Sequence, residues 1–195
     1  MRVIAGTLRG RRLQTIEGAE IRPTSDRLRE TLFNILAPRI RGSRFLDLCA
    51  GSGAVGIEAL SRGASEVVLV ESSRAACSVI EANLKTFRIE KGVNVIRRDA
   101  IVALKQFAET SAQFDIVFFD PPYASELYED VMNQIGASGV ISPNSIVIVE
   151  HRAKQRLAPR YSNLESYRQL KQGESALSFY RFETILDDST LNPES

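Results

Sequence analysis

Apolar runs at residues 45–49, 66–70, 93–97, 114–119 and 145–149 alternate with segments of helical spacing near 55–62, 73–87, 100–109 and 125–136. Strands that are apolar throughout, rather than at every second position, are buried on both faces. Their alternation with amphipathic helices predicts an α/β fold, a Rossmann-like, mostly parallel sheet with helices on both faces. Ahead of this core, residues 3–6 and 12–15 around Gly6 and Gly10 predict an N-terminal β-hairpin. Residues 16–24 read as a loop. Thr24 or Ser25 is placed to cap a helix through about Leu36, with Leu28, Leu32, Phe33, Ile35 and Leu36 on its apolar side and Pro38 ending it. Pro143 and Asn144 read as the turn before the fifth strand. After Glu150 a basic stretch runs to Arg160, and residues 164–170 and 176–183 predict a closing antiparallel hairpin. The pattern predicts one domain: a basic extension over 1–24, a core over 25–183 and a frayed polar tail over 186–195.

Composition narrows the function classes. With 44% hydrophobic and 25% charged residues in 195, the chain has an ordinary globular core. Its apolar runs fall short of the ~20 residues that span a bilayer. The first residues lack a signal-peptide layout, so a cytoplasmic setting without membrane contact is expected. Cys49 and Cys77 belong to no paired motif, and Cys49 reads as a small buried residue in a strand. The single His151 cannot build a ligand cluster, so no metal site is expected, and it reads as a packing or surface residue. Tyr128, Tyr161, Tyr167 and Phe179 read as packing residues.

Net charge is only +1, but it is unevenly spread. Residues 1–44 hold ten Arg, no Lys and four acids, hence +6, and the remaining 15 basic and 20 acidic residues give −5. Such asymmetry fits either a polyanion contact at the basic end or a solvated Arg-rich face. Arg in place of Lys suits phosphates and base planes, because the guanidinium fork is bidentate and stacks.

The candidate chemistry lies at the strand ends. Gly51, Gly53 and Gly56 satisfy G-x-G-x-x-G between a strand and a helix, and Glu71 closes the next strand twenty residues after Gly51. Both features fit a dinucleotide site and keep a hydride-transfer enzyme in play. Asp47 argues against it, since a carboxylate beside the loop repels a pyrophosphate and tolerates a cationic cofactor such as S-adenosylmethionine. Asp99 follows the third strand, either as a helix cap or beside an adenine or ribose. The fourth strand ends in Asp120-Pro121-Pro122-Tyr123. Asp120 and the Pro121 carbonyl are acceptors on a stiff corner, and Tyr123 adds an aromatic plane, a set suited to a planar amine. Acids 47, 71, 99 and 120 thus fall at or near the ends of successive strands.

Leu46-Asp47-Leu48-Cys49-Ala50-Gly51-Ser52-Gly53 with Asp120-Pro121-Pro122-Tyr123 resembles the class I S-adenosylmethionine-dependent methyltransferases that modify exocyclic amines. The start 2–6, the Gly10-Arg11 step and the block from Arg22 to Leu36 narrow the resemblance to the bacterial family that methylates guanine N2 in small-subunit (16S) ribosomal RNA. The resemblance runs from residue 2 to about 183. Cys49 departs from it, because the family usually carries Phe there, and residues 173–180 fit only loosely.

The resemblance implies S-adenosylmethionine as cofactor, held by Asp47, Ala50, Gly51, Ser52, Gly53, Glu71, Asp99, Ala100 and Asp120. It implies catalysis by Asp120, Pro121 and Tyr123 on an extruded guanine. Arg9, Arg11 and Arg12 on the first hairpin are the candidates for rRNA phosphates. Arg22, Thr24 and Arg27 are placed to line the cleft, against cofactor or RNA. The expected partner is 16S rRNA or a small-subunit assembly particle, approached by a monomer. Competing readings are a DNA adenine-N6 methyltransferase, which needs room for a target-recognition domain, and a non-catalytic S-adenosylmethionine-binding assembly factor. A protein glutamine methyltransferase would carry Asn where Asp120 stands.

Overall fold

The computed structural model describes residues 1–15, 25–122 and 127–182. In it the five apolar runs become the parallel strands β1 (Arg44–Leu48), β2 (Glu66–Glu71), β3 (Val93–Arg97), β4 (Phe114–Phe119) and β5 (Ile141–Arg152). Helices α1 (Asp26–Ile40), α2 (Ala54–Ser61), α3 (Arg74–Phe87), α4 (Ala100–Glu109) and α5 (Leu127–Ala137) precede, separate and flank them. The short β6 (Arg160–Tyr161) and the longer β7 (Leu164–Gln172) and β8 (Ser175–Phe182) complete an eight-stranded sheet in the order β3-β2-β1-β4-β5-β8-β7-β6. β5 pairs with β8 antiparallel, and β7 with both β8 and β6.

Alternate residues of each strand enter different cores. Phe45, Leu69, Ile116, Phe118 and Ile148 pack with α1, α2 and α3 through Leu32, Phe33, Leu36, Ile57 and Ile80. Leu46, Val70, Val117, Phe119 and Val149 pack on the opposite face with Leu104, Phe107, Val131, Met132 and Ile135 from α4 and α5. Each fully buried Leu, Ile, Val or Phe contributes roughly 1.5–3 kcal/mol, so this two-sided burial holds the strand ends in place.

Three boundaries differ from the sequence pattern. Pro38 does not end α1, which runs to Ile40. A proline in the last turn removes a single N–H, and the carbonyl it leaves on exposed Asn34 faces water, while Ile40 is buried. Pro143 and Asn144 lie within β5: Phe114 pairs with Ile141 and Ile116 with Ile146, so the intervening residues bulge before the ladder resumes. β5 also continues through His151 and Arg152, because β8 pairs with it there. The predicted N-terminal hairpin is real but minimal. One antiparallel bridge joins Arg2 and Arg12, and Val3 donates to the Arg11 carbonyl at 3.0 Å. Val3 and Leu13 are buried and anchor its two limbs. The expected boundaries at 24, 183 and 186 fall outside the described residues.

Among the described residues, no helix is long and apolar enough to cross a membrane. Tyr128, Tyr161 and Phe179 are buried as expected, whereas Tyr167 is exposed, its ring against Phe179 and beneath the Arg181 guanidinium. His151 is fully buried, its ring nitrogens 2.9 Å from the Arg152 carbonyl and 2.8 Å from Ser178 Oγ.

Candidate active site at the carboxyl edge of the sheet

β1 occupies the point where chain order reverses, with β2 and β3 on one side and β4 and β5 on the other. Ligands of open α/β sheets bind outside the carboxyl ends of the strands at such a point. The backbone closes it tightly: Asp120 donates its N–H to the Leu48 carbonyl at 3.3 Å, and Ala50 donates to the Val70 carbonyl at 2.9 Å.

Cys49 does not continue the strand. It follows β1 with φ of 63°, a left-handed conformation that is uncommon outside glycine. This kink throws the chain into the glycine loop. Gly51 and Gly53 also have positive φ, 57° and 76°, which explains glycine at both positions. A Cβ on Gly51 would meet nothing within 4 Å, so the loop backbone there faces open space. Gly56 is glycine for a different reason: a Cβ would lie 2.3 Å from Leu69 Cδ2 and 2.9 Å from Val67 Cγ1. It lets α2 press against β2.

The four acids gather around this loop. Asp47 is buried, and its Oδ2 accepts the Gly56 N–H at 2.9 Å, a first-turn donor of α2. Burial, with a smaller contribution from Glu71, pushes its carboxyl up to about 8, against the Gly56 hydrogen bond. Glu71 accepts the Gly51 N–H on Oε2 and the Ser73 N–H on Oε1, both at 2.8 Å. It therefore holds the glycine loop from the side. Asp99 caps α4, its Oδ1 accepting from Ile101 and Val102 at 2.9 and 3.4 Å. Asp120 is half-buried and Pro121 buried. The Cys49 thiol registers their convergence: burial first, then Glu71, Asp120, Asp47 and Asp99, all raise its pKa.

The basic N-terminus divides on inspection. Arg9, Arg12 and Arg27 are exposed. Arg11 is also exposed, but its Nη1 donates to the Phe87 carbonyl at 2.9 Å and its guanidinium lies 5.6 Å from the Phe87 ring centroid, so it caps α3. Arg29, one of the ten counted as basic surface, is fully buried. It donates to Asp26 at 3.0 Å and to the Arg2 carbonyl, and its Nε lies 3.7 Å from Glu58 Oε2. Arg22, Thr24 and Tyr123 lie outside the described residues.

Composition and motif gave no hint of the residues that attach the hairpin to the glycine-loop helix. Glu58, fully buried on α2, accepts the Ile4 N–H at 2.7 Å and the Ala5 N–H at 3.0 Å, and Arg62 Nε at 2.7 Å. Ser61 Oγ donates to the Ala5 carbonyl at 2.6 Å and accepts from Leu8 at 2.9 Å. A Cβ on Gly6 would fall 1.8 Å from the Ser61 carbonyl oxygen. Asn83 links Gln14 to Ser52. Only Gly6 stood out locally, as a turn glycine.

Residues 1–181 match the family model described as "Conserved hypothetical protein 95". A relative from Escherichia coli strain K12, named "Ribosomal RNA small subunit methyltransferase D", is 36% identical over 183 residues, covering 94% of this chain and 90% of that protein. The solved structure of yhhF from Escherichia coli superposes with a TM-score of 0.82 at 37% identity, covering 94% of this chain and 98% of that one. A distant solved structure complexed with SAH shares the fold alone, with a TM-score of 0.63 at 14% identity over 78% of this chain and 49% of that one.

Proposed function

The chain belongs to the family described as "Conserved hypothetical protein 95", alongside the relatives named small-subunit rRNA methyltransferase D, and on that premise we propose that it methylates the N2 amine of a guanine in 16S rRNA with S-adenosylmethionine. The observation that carries this reading is the gathering of Asp47, Glu71, Asp99 and Asp120 around one glycine loop. Carboxylates in that number suit a cationic ligand rather than a pyrophosphate. The open side of Gly51 leaves room for such a ligand against the backbone. The cofactor, when bound, supplies an electrophilic methyl on a sulfonium.

The chain's own residues do the rest. Asp47, Ala50, Gly51, Ser52 and Gly53 cradle the methionine end, Glu71 takes the ribose hydroxyls, and Asp99 and Ala100 border the adenine. An aryl amine is a poor nucleophile because its lone pair is delocalised into the ring. Asp120 and the Pro121 carbonyl accept its two N–H hydrogens and favour a pyramidal nitrogen whose lone pair points at the methyl. As the N–C bond forms and the C–S bond breaks, Asp120 stabilises the positive charge on nitrogen and accepts the departing proton. Tyr123 stacks on the extruded base, worth ~1–3 kcal/mol by analogy with single-strand binders. Arg9 and Arg12 meet rRNA phosphates, with Arg11 as a secondary contact, while Arg22, Thr24 and Arg27 line the cleft.

Labelled S-adenosylmethionine tests the reading with naked 16S rRNA, small-subunit particles lacking the modification, and duplex DNA. The expected outcome is label at guanine N2 in rRNA that disappears with Asp120→Ala. Label in DNA adenine alone would refute the RNA substrate. Cofactor binding without turnover on any substrate would favour the non-catalytic assembly factor.

A further inference from the structure

Asn83 sits on α3 with 1% of its surface exposed, and none of the roles above uses it. Its side chain faces one donor and two acceptors. Oδ1 accepts the Gln14 N–H at 2.8 Å, and Nδ2 donates to the Gln14 carbonyl at 3.1 Å and to the Ser52 carbonyl at 3.2 Å. Only an amide presents one acceptor and two donors from one planar group; a carboxylate lacks the donors and an apolar side chain lacks both. Buried and satisfied on every side, such a group is costly to disturb, because breaking one partner leaves the others desolvated.

The three contacts join two sites. Ser52 belongs to the glycine loop between Gly51 and Gly53. Gln14 follows Arg12 on the limb of the N-terminal hairpin that runs along α3, where Arg11 already caps Phe87 and Leu13 is buried. The other limb is tied to α2, the helix that begins at this same loop, through Glu58 and Ser61. The hairpin is therefore fastened to the glycine loop or its helix on both of its limbs, and Asn83 hydrogen-bonds loop and hairpin at once.

We propose that Asn83 is a positioning residue that couples RNA capture on the N-terminal hairpin to the cofactor loop, so that RNA and cofactor bind with positive cooperativity. The inference rests on the reading of Arg9 and Arg12 as phosphate contacts and of the glycine loop as the cofactor site. RNA that fixes the hairpin fixes Gln14, and Asn83 then holds the Ser52 carbonyl in its binding orientation. By linkage, the cofactor raises RNA affinity by the same factor.

The test titrates SAH into the full-length chain, alone and saturated with small-subunit particles lacking the modification. In the wild type, the particles are expected to tighten SAH binding about five- to tenfold, toward the lower end of common coupling factors. Asn83→Ala should weaken SAH binding without RNA and abolish the RNA-dependent gain. Gln14→Pro removes the N–H that Asn83 accepts, the shorter of its two bonds to the hairpin, while leaving the bonds to the carbonyls of residue 14 and Ser52. It should leave SAH affinity alone unchanged and reduce the gain to less than twofold, an outcome that general loss of packing would not produce. Melting curves for each variant identify those that remain folded, and Asn83→Asp serves where the alanine variant does not. A folded Gln14→Pro chain that keeps the full gain would overturn the inference, as would a wild type that binds particles with no change in SAH affinity. A wild type that binds no particles would overturn the RNA reading itself, and the coupling with it.

Discussion

Asp47 permits a test of whether the most deeply buried of the four acids meets the cofactor or only anchors α2. Its carboxyl is raised from 3.8 to about 8, so the free protein holds it protonated at neutral pH. The α-ammonium of the methionine end, which SAH retains, would favour the carboxylate if placed against it and expel the proton. Binding then carries a proton-release cost that grows as pH falls below 8. Each unit below that value weakens binding about tenfold, or about 1.4 kcal/mol. Between pH 8, where the group is half protonated, and pH 6 the loss is about 50-fold, or roughly 2.3 kcal/mol. Calorimetry of SAH binding at pH 6.5, in two buffers of different ionisation enthalpy, counts the released protons and should find close to one. In Asp47→Asn the amide oxygen still accepts the Gly56 N–H, but there is no proton to release. The variant should bind SAH more weakly at pH 8 and with a flat pH profile over this range, while the ligand's own titration remains common to both proteins. Equal slopes in wild type and variant, or no proton released by the wild type, would refute contact with the cofactor's charge and leave Asp47 as an anchor for α2. The folding side has its own sign. A raised carboxylate binds more protons folded than unfolded, so its contribution is greatest below pH 3.8 and is lost as pH rises toward 8.

Other expectations follow from packing and charge. Gly56→Ala drives a methyl into Leu69 and Val67, so overpacking should cost about 1–3 kcal/mol, read as a lower midpoint in urea and weaker SAH binding. Glu58→Ala removes the buried carboxylate shared by Arg62 and Arg29 and leaves the Ile4 and Ala5 N–H groups without their acceptor. It should destabilise by about 3–5 kcal/mol, with faster hydrogen exchange at Ile4 and Ala5, whereas Glu58→Gln retains the acceptor and should lose less. Burial lowers the His151 pKa below 6.5, with a smaller contribution from Lys171. The folded state therefore binds fewer protons, and stability is lost as pH falls below 6.5. As the only His in the chain, its imidazole resonance should titrate below the free value, and His151→Gln should remove that part of the acid slope.

What the sequence disclosed depended on whether the signal was local. Phe45 and Leu46, Val68 and Leu69, and Val117 and Phe118 are apolar on both faces of their strands, so burial and the parallel sheet were readable without knowing any partner. The acids at 47, 71, 99 and 120 were readable because they fall at or near the ends of such runs. Pro38 misled because the rule it triggers concerns helix interiors, and an exposed last turn tolerates the missing N–H. The Arg count misled for a related reason: net charge presumes exposure, and Arg29 lies wholly inside, between Asp26, the Arg2 carbonyl and Glu58. The roles of Glu58 and Asn83 in holding the hairpin had no local signature, since their hairpin and loop partners lie 53 or 54 and 31 or 69 residues away. Those long-range bonds explain a placement that composition alone could not. A hairpin with one bridge and two anchoring apolar residues has too little surface of its own to hold a fixed position. Buried acceptors on α2 and α3 supply what its own ladder lacks. The same helices carry and support the glycine loop, so the order of the basic hairpin and the geometry of that loop derive from one set of buried polar groups.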